Sequence, residues 1–192
     1  MAKKNEFKAD KPRSGFASKL FLTTQQRAVL FKWVLYALLL VILSTVQDVF
    51  LSRVRILNAT TELVPVGIFL ICIAEGAERG SVFSLVAASL YVFSGTPAGY
   101  YSIVVITAAA IGVTLFRQSY LQKGFAASML CTAAAMLGYA FCIFCIGLFL
   151  EKTTGSRIVS HMLSAVYSLL AAPILYPAVA GISTIGGEAW KE

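Results

Sequence analysis

The residues in this chain best suited to chemistry lie in a short charged turn between two apolar runs. The turn reads Glu75-Gly76-Ala77-Glu78-Arg79-Gly80. Glu75 and Arg79 are four residues apart, the spacing at which a carboxylate and a guanidinium pair on one face of a helix. Two interpretations of this pair are open: a solvated turn on the cytoplasmic side, or a docking point for a cytoplasmic partner.

Elsewhere the sequence lacks the patterns that catalysis or metal binding requires. It contains no H-E-x-x-H, no Walker A motif and no G-x-S-x-G. Cys142 and Cys145 form one C-x-x-C, but a second pair is missing and the only histidine is His161, which does not match a zinc site. Asp48 stands near the end of an apolar run, where we expect it to face water or Arg53. We therefore predict a protein that is not an enzyme and has no catalytic residue, cofactor or metal.

The composition indicates an integral membrane protein. Hydrophobic residues make up 58% of the chain and charged residues 13%, with a mean hydropathy of +0.80, whereas soluble proteins average about 25% charged residues. Several uncharged runs are as long as the roughly 20 residues that cross a bilayer. The net charge of +7 would also suit a nucleic-acid partner, but the charges flank apolar runs, so we expect membrane lipids and no nucleic acid.

These runs predict an all-α bundle of six transmembrane helices in residues 33–185. A basic cytoplasmic tail, residues 1–32, precedes the bundle as an interfacial helix or a disordered segment, and a cytoplasmic tail, residues 186–192, follows it. The second span has about 12 residues and reaches about 18 Å, short of a hydrocarbon core of about 30 Å. It must recruit flanking residues, tilt, or be shielded by protein. A re-entrant hairpin of spans two and three stays open. The predicted spans are Trp33–Leu51, Leu63–Ala74, Gly80–Ser94, Tyr100–Phe116, one within Phe125–Leu150, and Met162–Ile185 with a kink at Pro173 and Pro177.

The distribution of basic residues predicts the orientation. With six spans, twelve Lys and Arg residues fall on the side of the two termini and four on the other side. Because cytoplasmic segments carry the excess of Lys and Arg, both termini are predicted to be cytoplasmic.

Glycine and proline mark the predicted close contacts and turns. Gly76 and Gly80 would share one face of a helix and allow another backbone to approach. Gly95, Pro97 and Gly99 have the residue types of a turn. We predict helix-packing or partner contacts at these five positions.

The order of these features resembles the bacterial rod shape-determining protein family MreD. The residues that carry the resemblance are the Glu75–Gly80 turn and Ser94-Gly95-Thr96-Pro97-Ala98-Gly99-Tyr100-Tyr101, within a region of about Trp33 to Ile185. One position departs from the family pattern. The family often has an Asp shortly before the S-G-x-P-x-G turn, and this chain has Tyr91 there.

The resemblance implies a non-enzymatic scaffold in the bacterial inner membrane that helps to control cell shape. Its implied partners are an MreC-like protein, a penicillin-binding transpeptidase, a membrane glycosyltransferase and the MreB filament system. The MreD family is thought to share its six-helix fold with the substrate-binding subunits of energy-coupling-factor vitamin transporters.

Such a transporter subunit is the alternative interpretation. These subunits typically have an A-x-x-x-A-like packing motif in the first span. In this chain Ala37 and Ser44 are seven residues apart, so the motif is missing, and the scaffold is the interpretation we favour.

Overall fold

The structure is a computed structural model that describes residues 24–51, 59–95, 99–121 and 124–185. These residues are almost entirely helical and contain no strand, which confirms the predicted all-α class. One 3-10 turn, Gly155–Arg157, precedes the sixth helix. The helices are α1 (Thr24–Val49), α2 (Leu63–Glu75), α3 (Ala77–Phe93), α4 (Tyr101–Tyr120), α5 (Phe125–Phe149), α6 (Ile158–Leu169) and α7 (Ala172–Ser183).

Helix α2 is the centre of the bundle. Twelve of its 13 residues are buried, and it contacts each of the other six helices. Its sequence is apolar on every face, the pattern of a helix surrounded by protein. Because α2 is shielded from lipid by its neighbours, its length of about 20 Å does not have to match the thickness of a bilayer.

The helices around α2 have the character of membrane spans. Among the described residues, Gln26–Val49, Tyr101–Tyr120 and Phe125–Phe149 are long and apolar enough to cross a membrane. A fourth candidate is formed if Gly155–Leu169 and Ala172–Ser183, bent by 49° relative to each other, count as one span. Large apolar side chains point outward from these helices, such as Val41 on α1, Val104 on α4 and Leu130 on α5, each at least 60% exposed.

Prolines stand on the C-terminal side of the bend. Pro173 lies in the first turn of α7, where the missing N–H has no intrahelical acceptor to lose. Pro177 lies inside α7. The chain leaves α6 after Leu169 and starts α7 at Ala172, so the interruption comes just before the first of the two prolines that suggested a kink.

Contacts at the two ends of α2 show how the helices run. Lys32, near the start of α1, donates to the Ser183 carbonyl at the end of α7, and its ammonium pairs with Glu75 at the end of α2. The start of α1 and the end of α7 therefore meet at one end of the bundle, called here the Glu75 end. At the opposite end, the Glu62 end, Gln47 of α1 contacts the first residues of α2 and Tyr91 of α3.

Glycine permits α2 to lie close to α1. A Cβ added at Gly67 would come within 2.7 Å of the Leu43 Cδ1 methyl and 3.2 Å of a Leu40 methyl. These leucines therefore fill the space that a side chain at position 67 would occupy. Small residues of this kind let two apolar helices approach closely without a driving force from water.

Glycine also shapes the junction between α2 and α3. Gly76 has a φ of 89°, which ends α2, and its N–H donates to the Cys72 carbonyl at 2.9 Å. Gly80 packs directly on α2, since an added Cβ would lie 2.9 Å from Cys72 Cα. The expectation that Gly76 and Gly80 share the face of one helix needs correction, because Gly76 precedes α3 and Gly80 is in its first turn. The close contact of Gly80 is with a helix of the same chain.

The substitution Gly80→Ala is expected to destabilise the protein. The added methyl would meet backbone atoms of Cys72, which cannot move aside as a flexible side chain can, and overpacking of this kind costs about 1–3 kcal/mol. Thermal unfolding in mild detergent measures the effect. Gly138→Ala is the matched control, because an added Cβ there meets nothing within 4 Å and should change stability by less than about 1 kcal/mol. Equal melting temperatures for the two variants would contradict the packing argument.

Candidate functional site

A buried ion pair ties three helices together at the Glu75 end. Lys32 Nζ lies 2.6 Å from Glu75 Oε1, with the two side chains 3% and 0% exposed. The Tyr36 hydroxyl donates to the same oxygen at 2.7 Å, and Lys32 Nζ also donates to the Ser183 carbonyl at 3.0 Å. We call these four residues the Glu75 clamp. It joins α1, α2 and α7.

Local helix geometry brings the clamp together. Lys32 and Tyr36 are one turn apart on α1, so both side chains reach the same neighbour. Ser183 is the last residue of α7, and its carbonyl belongs to the group that has no partner within its own helix. A lysine at this position satisfies that carbonyl and interacts favourably with the negative end of the α7 dipole.

Aromatic rings cover the clamp. The ring centroids of Trp33, Tyr36 and Phe83 lie 5.4–6.0 Å apart, at angles typical of aromatic packing. Arg117 from α4 donates to the Ile73 carbonyl near the end of α2. The aromatic rings and Arg117 therefore surround the end of α2 at which the Glu75 carboxylate is buried.

The clamp differs from the pairing that the sequence suggested. Glu75 is buried and pairs with Lys32, whereas Arg79 lies on the exposed start of α3. The solvated-turn interpretation therefore describes Arg79 and Glu78, but not Glu75. Lys32 was included in the basic tail because it stands directly before an apolar run, and sequence spacing gives no signal that links it to a carboxylate 43 residues later.

The predicted turn after α3 is described only in part. Gly95 has a φ of 81° and Gly99 a φ of 159°, conformations that favour glycine. An added Cβ would meet nothing within 4 Å at Gly95, and the Tyr101 ring at 2.6 Å at Gly99. Both glycines thus have conformational roles. Pro97 lies outside the described residues.

At the Glu62 end, Gln47 of α1 caps the start of α2. Its side-chain Oε1 accepts hydrogen bonds from the Leu63 N–H at 2.7 Å and the Val64 N–H at 3.1 Å. Its Nε2 donates to the Tyr91 hydroxyl at 3.1 Å. The first N–H groups of a helix have no partner within it, and Gln47, which is 3% exposed, supplies one from another helix. Tyr91, the position that departs from the MreD pattern, is part of this network.

Glu62 lies beside Gln47, immediately before α2. Its N–H donates to Ser168 Oγ at 2.8 Å, and the Thr60 N–H donates to Ser164 Oγ at 3.1 Å. The Tyr139 hydroxyl donates to the Glu62 carboxylate. Glu62 Oε2 is buried and has no hydrogen-bond partner. Burial raises the pKa of the Glu62 carboxyl above its ordinary value, and the bond from Tyr139 opposes that change.

A cavity of about 20 Å³ adjoins this carboxylate. Its polar lining comes from Glu62, Tyr139, His161, Ser164 and Ser168, and its apolar lining from α5 and α6. About 10–15 Å³ is enough for one water molecule, whereas pockets for organic ligands have roughly 300–1,000 Å³. In this conformation the cavity accommodates one species of the size of water.

Of the remaining candidates from the sequence, Asp48 lies near the Glu62 end, where its charge acts on Tyr91, and the two cysteines join neither the Glu75 clamp nor the Glu62 end. Asp48 is exposed and accepts a hydrogen bond from Ser44 Oγ at 3.4 Å. Cys142 and Cys145 are exposed on α5. Over the described ranges, no three His, Cys, Asp or Glu side chains are grouped as a metal site would require. Sequence reasoning had given Gln47 and Glu62 no site role, because a single polar residue at a helix end has no distinctive spacing.

Comparison with known proteins gives no assignment. No protein-family model matches the chain, and no curated protein and no solved structure matches it either.

Substitutions of Lys32 and Glu75 in the clamp are expected to have strongly non-additive effects on stability. Lys32→Met leaves the buried Glu75 carboxylate without its cation, and breaking a buried pair from one side costs about 3–5 kcal/mol. The double variant Lys32→Met, Glu75→Gln removes both charges and should recover much of that loss. Thermal unfolding of the two single variants and the double variant gives the coupling energy. Glu78→Gln, on the exposed start of α3, is the control, and additive effects would contradict a direct pair.

Substitution of Gln47 is expected to destabilise the start of α2. Gln47→Leu leaves two buried N–H groups without an acceptor, at about 1–3 kcal/mol each, whereas Tyr91→Phe removes only the bond to Nε2. We therefore expect a clearly larger fall in melting temperature for Gln47→Leu than for Tyr91→Phe. The reverse order would show that the cap is not the main role of Gln47.

Proposed function

We propose that this chain is a non-enzymatic membrane scaffold of the MreD kind. In this role it helps to control cell shape in the bacterial elongation machinery by linking an MreC-like protein, the MreB filament system and peptidoglycan synthases. The observation that carries the proposal is the position of the Glu75–Gly80 stretch. This stretch carries half of the resemblance, and it forms the junction of α2 with α3 and with the Glu75 clamp.

The chemistry of that stretch suits a scaffold. Glu75 is used in an ion pair with Lys32, Gly76 provides the left-handed turn, and Gly80 provides the close contact with α2. Each of these groups fixes the relative position of helices. A rigid arrangement of helices is what a protein needs in order to hold several partners in a defined geometry.

The outer surface offers apolar faces for lipid and for partner helices. On α3, side chains at intervals of three and four residues form one continuous stripe, from Val82 and Val86 to Leu90 and Phe93, each 54–77% exposed. Helices associate within a membrane through packing of such surfaces. The stripe supports the proposal that partners bind along the side of the bundle.

The proposed topology has six membrane spans with both termini in the cytoplasm of a bacterial cell. The start of α1 and the end of α7 meet at the Glu75 end, which supports termini on one side. Arg79 and Arg117 belong to the same end, as expected if it faces the cytoplasm. Helices α2 and α3 would complete the six spans as short crossings, α2 enclosed by the other helices and α3 with one face at the outer surface.

A substrate-binding subunit of an energy-coupling-factor vitamin transporter is the alternative that the experiment must distinguish. Such a subunit needs a cavity for an organic molecule. Within the described residues, the cavity at the Glu62 end has about 20 Å³, roughly the volume that one water molecule requires, so this cavity is not a site of that kind.

Affinity purification tests the proposal. The tagged full-length protein is recovered from its native membrane in mild detergent, and bound proteins are identified by mass spectrometry. We expect an MreC-like protein and cell-wall synthases in amounts comparable to the tagged chain. Recovery of paired ATPases with a shared membrane subunit, or of a bound vitamin, would overturn the scaffold proposal in favour of the transporter.

Two matched variants locate the partner surface in the same experiment. Leu90→Ala with Phe93→Ala removes apolar area from the α3 stripe, and Leu130→Ala with Phe141→Ala removes a similar area from the exposed face of α5. All four side chains are more than half exposed, so both variants should fold. We expect partner recovery to fall more for the α3 variant.

A further inference from the structure

Among the described residues, Glu62 and Glu75 each have an Oε2 atom that is buried without a hydrogen-bond partner, but only Glu75 has a cation against its other oxygen. Glu75 has a lysine against one oxygen. Glu62 receives one hydrogen bond from Tyr139, and no Lys or Arg of the described ranges pairs with it. Its Oε2 is buried without a partner. A buried unpaired carboxylate oxygen is costly, and such groups in native structures generally have an explanation.

The cavity beside Glu62 supplies an explanation for the unpaired Oε2 atom. Ser164 Oγ and Ser168 Oγ line it, and each accepts a single backbone N–H. A hydroxyl oxygen has two lone pairs, so each serine retains one acceptor position. Together with the Glu62 carboxylate, they bring oxygen atoms to the lining of the cavity, and His161 also lines it. Oxygen atoms are the ligands that hard cations prefer.

The size of the cavity restricts the ligand to a very small species. A volume of about 20 Å³ fits one water molecule or a sodium ion, which is no larger. A water molecule can donate to Glu62 Oε2 but leaves the carboxylate charge unpaired in a buried position, whereas a small monovalent cation or a proton neutralises that charge.

We propose that the cavity at the Glu62 end binds one positive charge against Glu62 Oε2, supplied by a sodium-sized monovalent cation or by a proton. The bound charge neutralises Glu62 and, through Ser164 and Ser168, fixes α6 against the start of α2. This proposal does not depend on the scaffold function, because it concerns the opposite end of the bundle from the Glu75 clamp.

The expected pH dependence follows from the burial of Glu62. Burial raises the pKa of its carboxyl above the ordinary value of 4.5, so the folded protein holds the proton at a pH at which the unfolded chain has lost it. Stability is therefore highest at low pH and falls as the pH rises from the ordinary pKa through the raised one. Tyr139 from α5, Tyr91 from α3 and His161 from α6 face the same region. From α1 come the neutral Gln47 and Asp48, whose charge acts on Tyr91, and Arg157 acts on His161.

Thermal unfolding of the purified full-length protein in mild detergent tests the proposal. Sodium chloride is compared with choline chloride at equal ionic strength, at pH 8 and at pH 5.5. If sodium is the ligand, the melting temperature at pH 8 should rise by about 2–5 °C in a saturable manner. If a proton is the ligand, it should rise between pH 8 and pH 5.5 regardless of sodium.

Substitutions test whether the sodium or the pH dependence of the melting temperature arises at the cavity. Glu62→Gln retains an acceptor for Tyr139 but has no charge, and it should lose the dependence on sodium and on pH. Glu78→Gln, a change at an exposed carboxylate, should retain both. If Glu62→Gln does not fold, Ala140→Val places two methyl groups at the cavity wall and should abolish the sodium effect while Glu62 is intact.

Two results would overturn the proposal. One is a wild-type melting temperature that is the same in sodium and choline and the same at both pH values. The other is a sodium or pH effect of unchanged size in both Glu62→Gln and Ala140→Val. Neither result would bear on the scaffold function, which is tested by partner recovery.

Discussion

The ion pair between Lys32 and Glu75 is the interaction on which the arrangement of the bundle depends. It buries one charge from α1 and one from α2, and the same ammonium reaches the end of α7. Away from water the desolvation of both charges must be offset by their attraction and by additional hydrogen bonds. Tyr36 and the Ser183 carbonyl provide those bonds, so the pair is favourable only when the three helices are in their native positions. A strict geometric requirement of this kind selects one packing of helices whose apolar faces would otherwise fit in several ways.

The polar groups at the two ends of α2 obtain their partners from different side chains. At its start, the amide of Gln47 accepts the free N–H groups. At its end, Arg117 donates to the Ile73 carbonyl and the Glu75 clamp holds the side chain of the last residue. Between these polar ends, Gly67 and Gly80 allow α1 and α3 to lie against the helix backbone. The central helix is therefore fixed along its axis by polar contacts and held laterally by close packing. These two kinds of contact explain how a helix of 13 residues can be the centre of a much larger bundle of apolar helices.

The sequence predicted the helical class and the positions of most helices, because long uncharged runs and glycine or proline boundaries are local signals. It also placed the predicted second span where α2 lies, and shielding by protein was one of three explanations of its shortness. The partners of Glu75 could not be predicted, since Lys32 and Ser183 are distant in the chain and only the packed bundle brings them together. For the same reason Gln47 and Glu62 received no role, although Tyr91 drew attention to their region. Membrane orientation and partner proteins depend on surroundings outside the chain and stay predictions.

The bond between Lys32 and Ser183 has a consequence for the synthesis of the protein. The two residues are 151 positions apart in the chain, so α1 leaves the ribosome and enters the membrane long before its last contact exists. During that interval Lys32 can pair with Glu75 of α2 but has no acceptor from α7. A chain that ends before α7 would therefore keep the ion pair and lack the carbonyl that completes the Glu75 clamp.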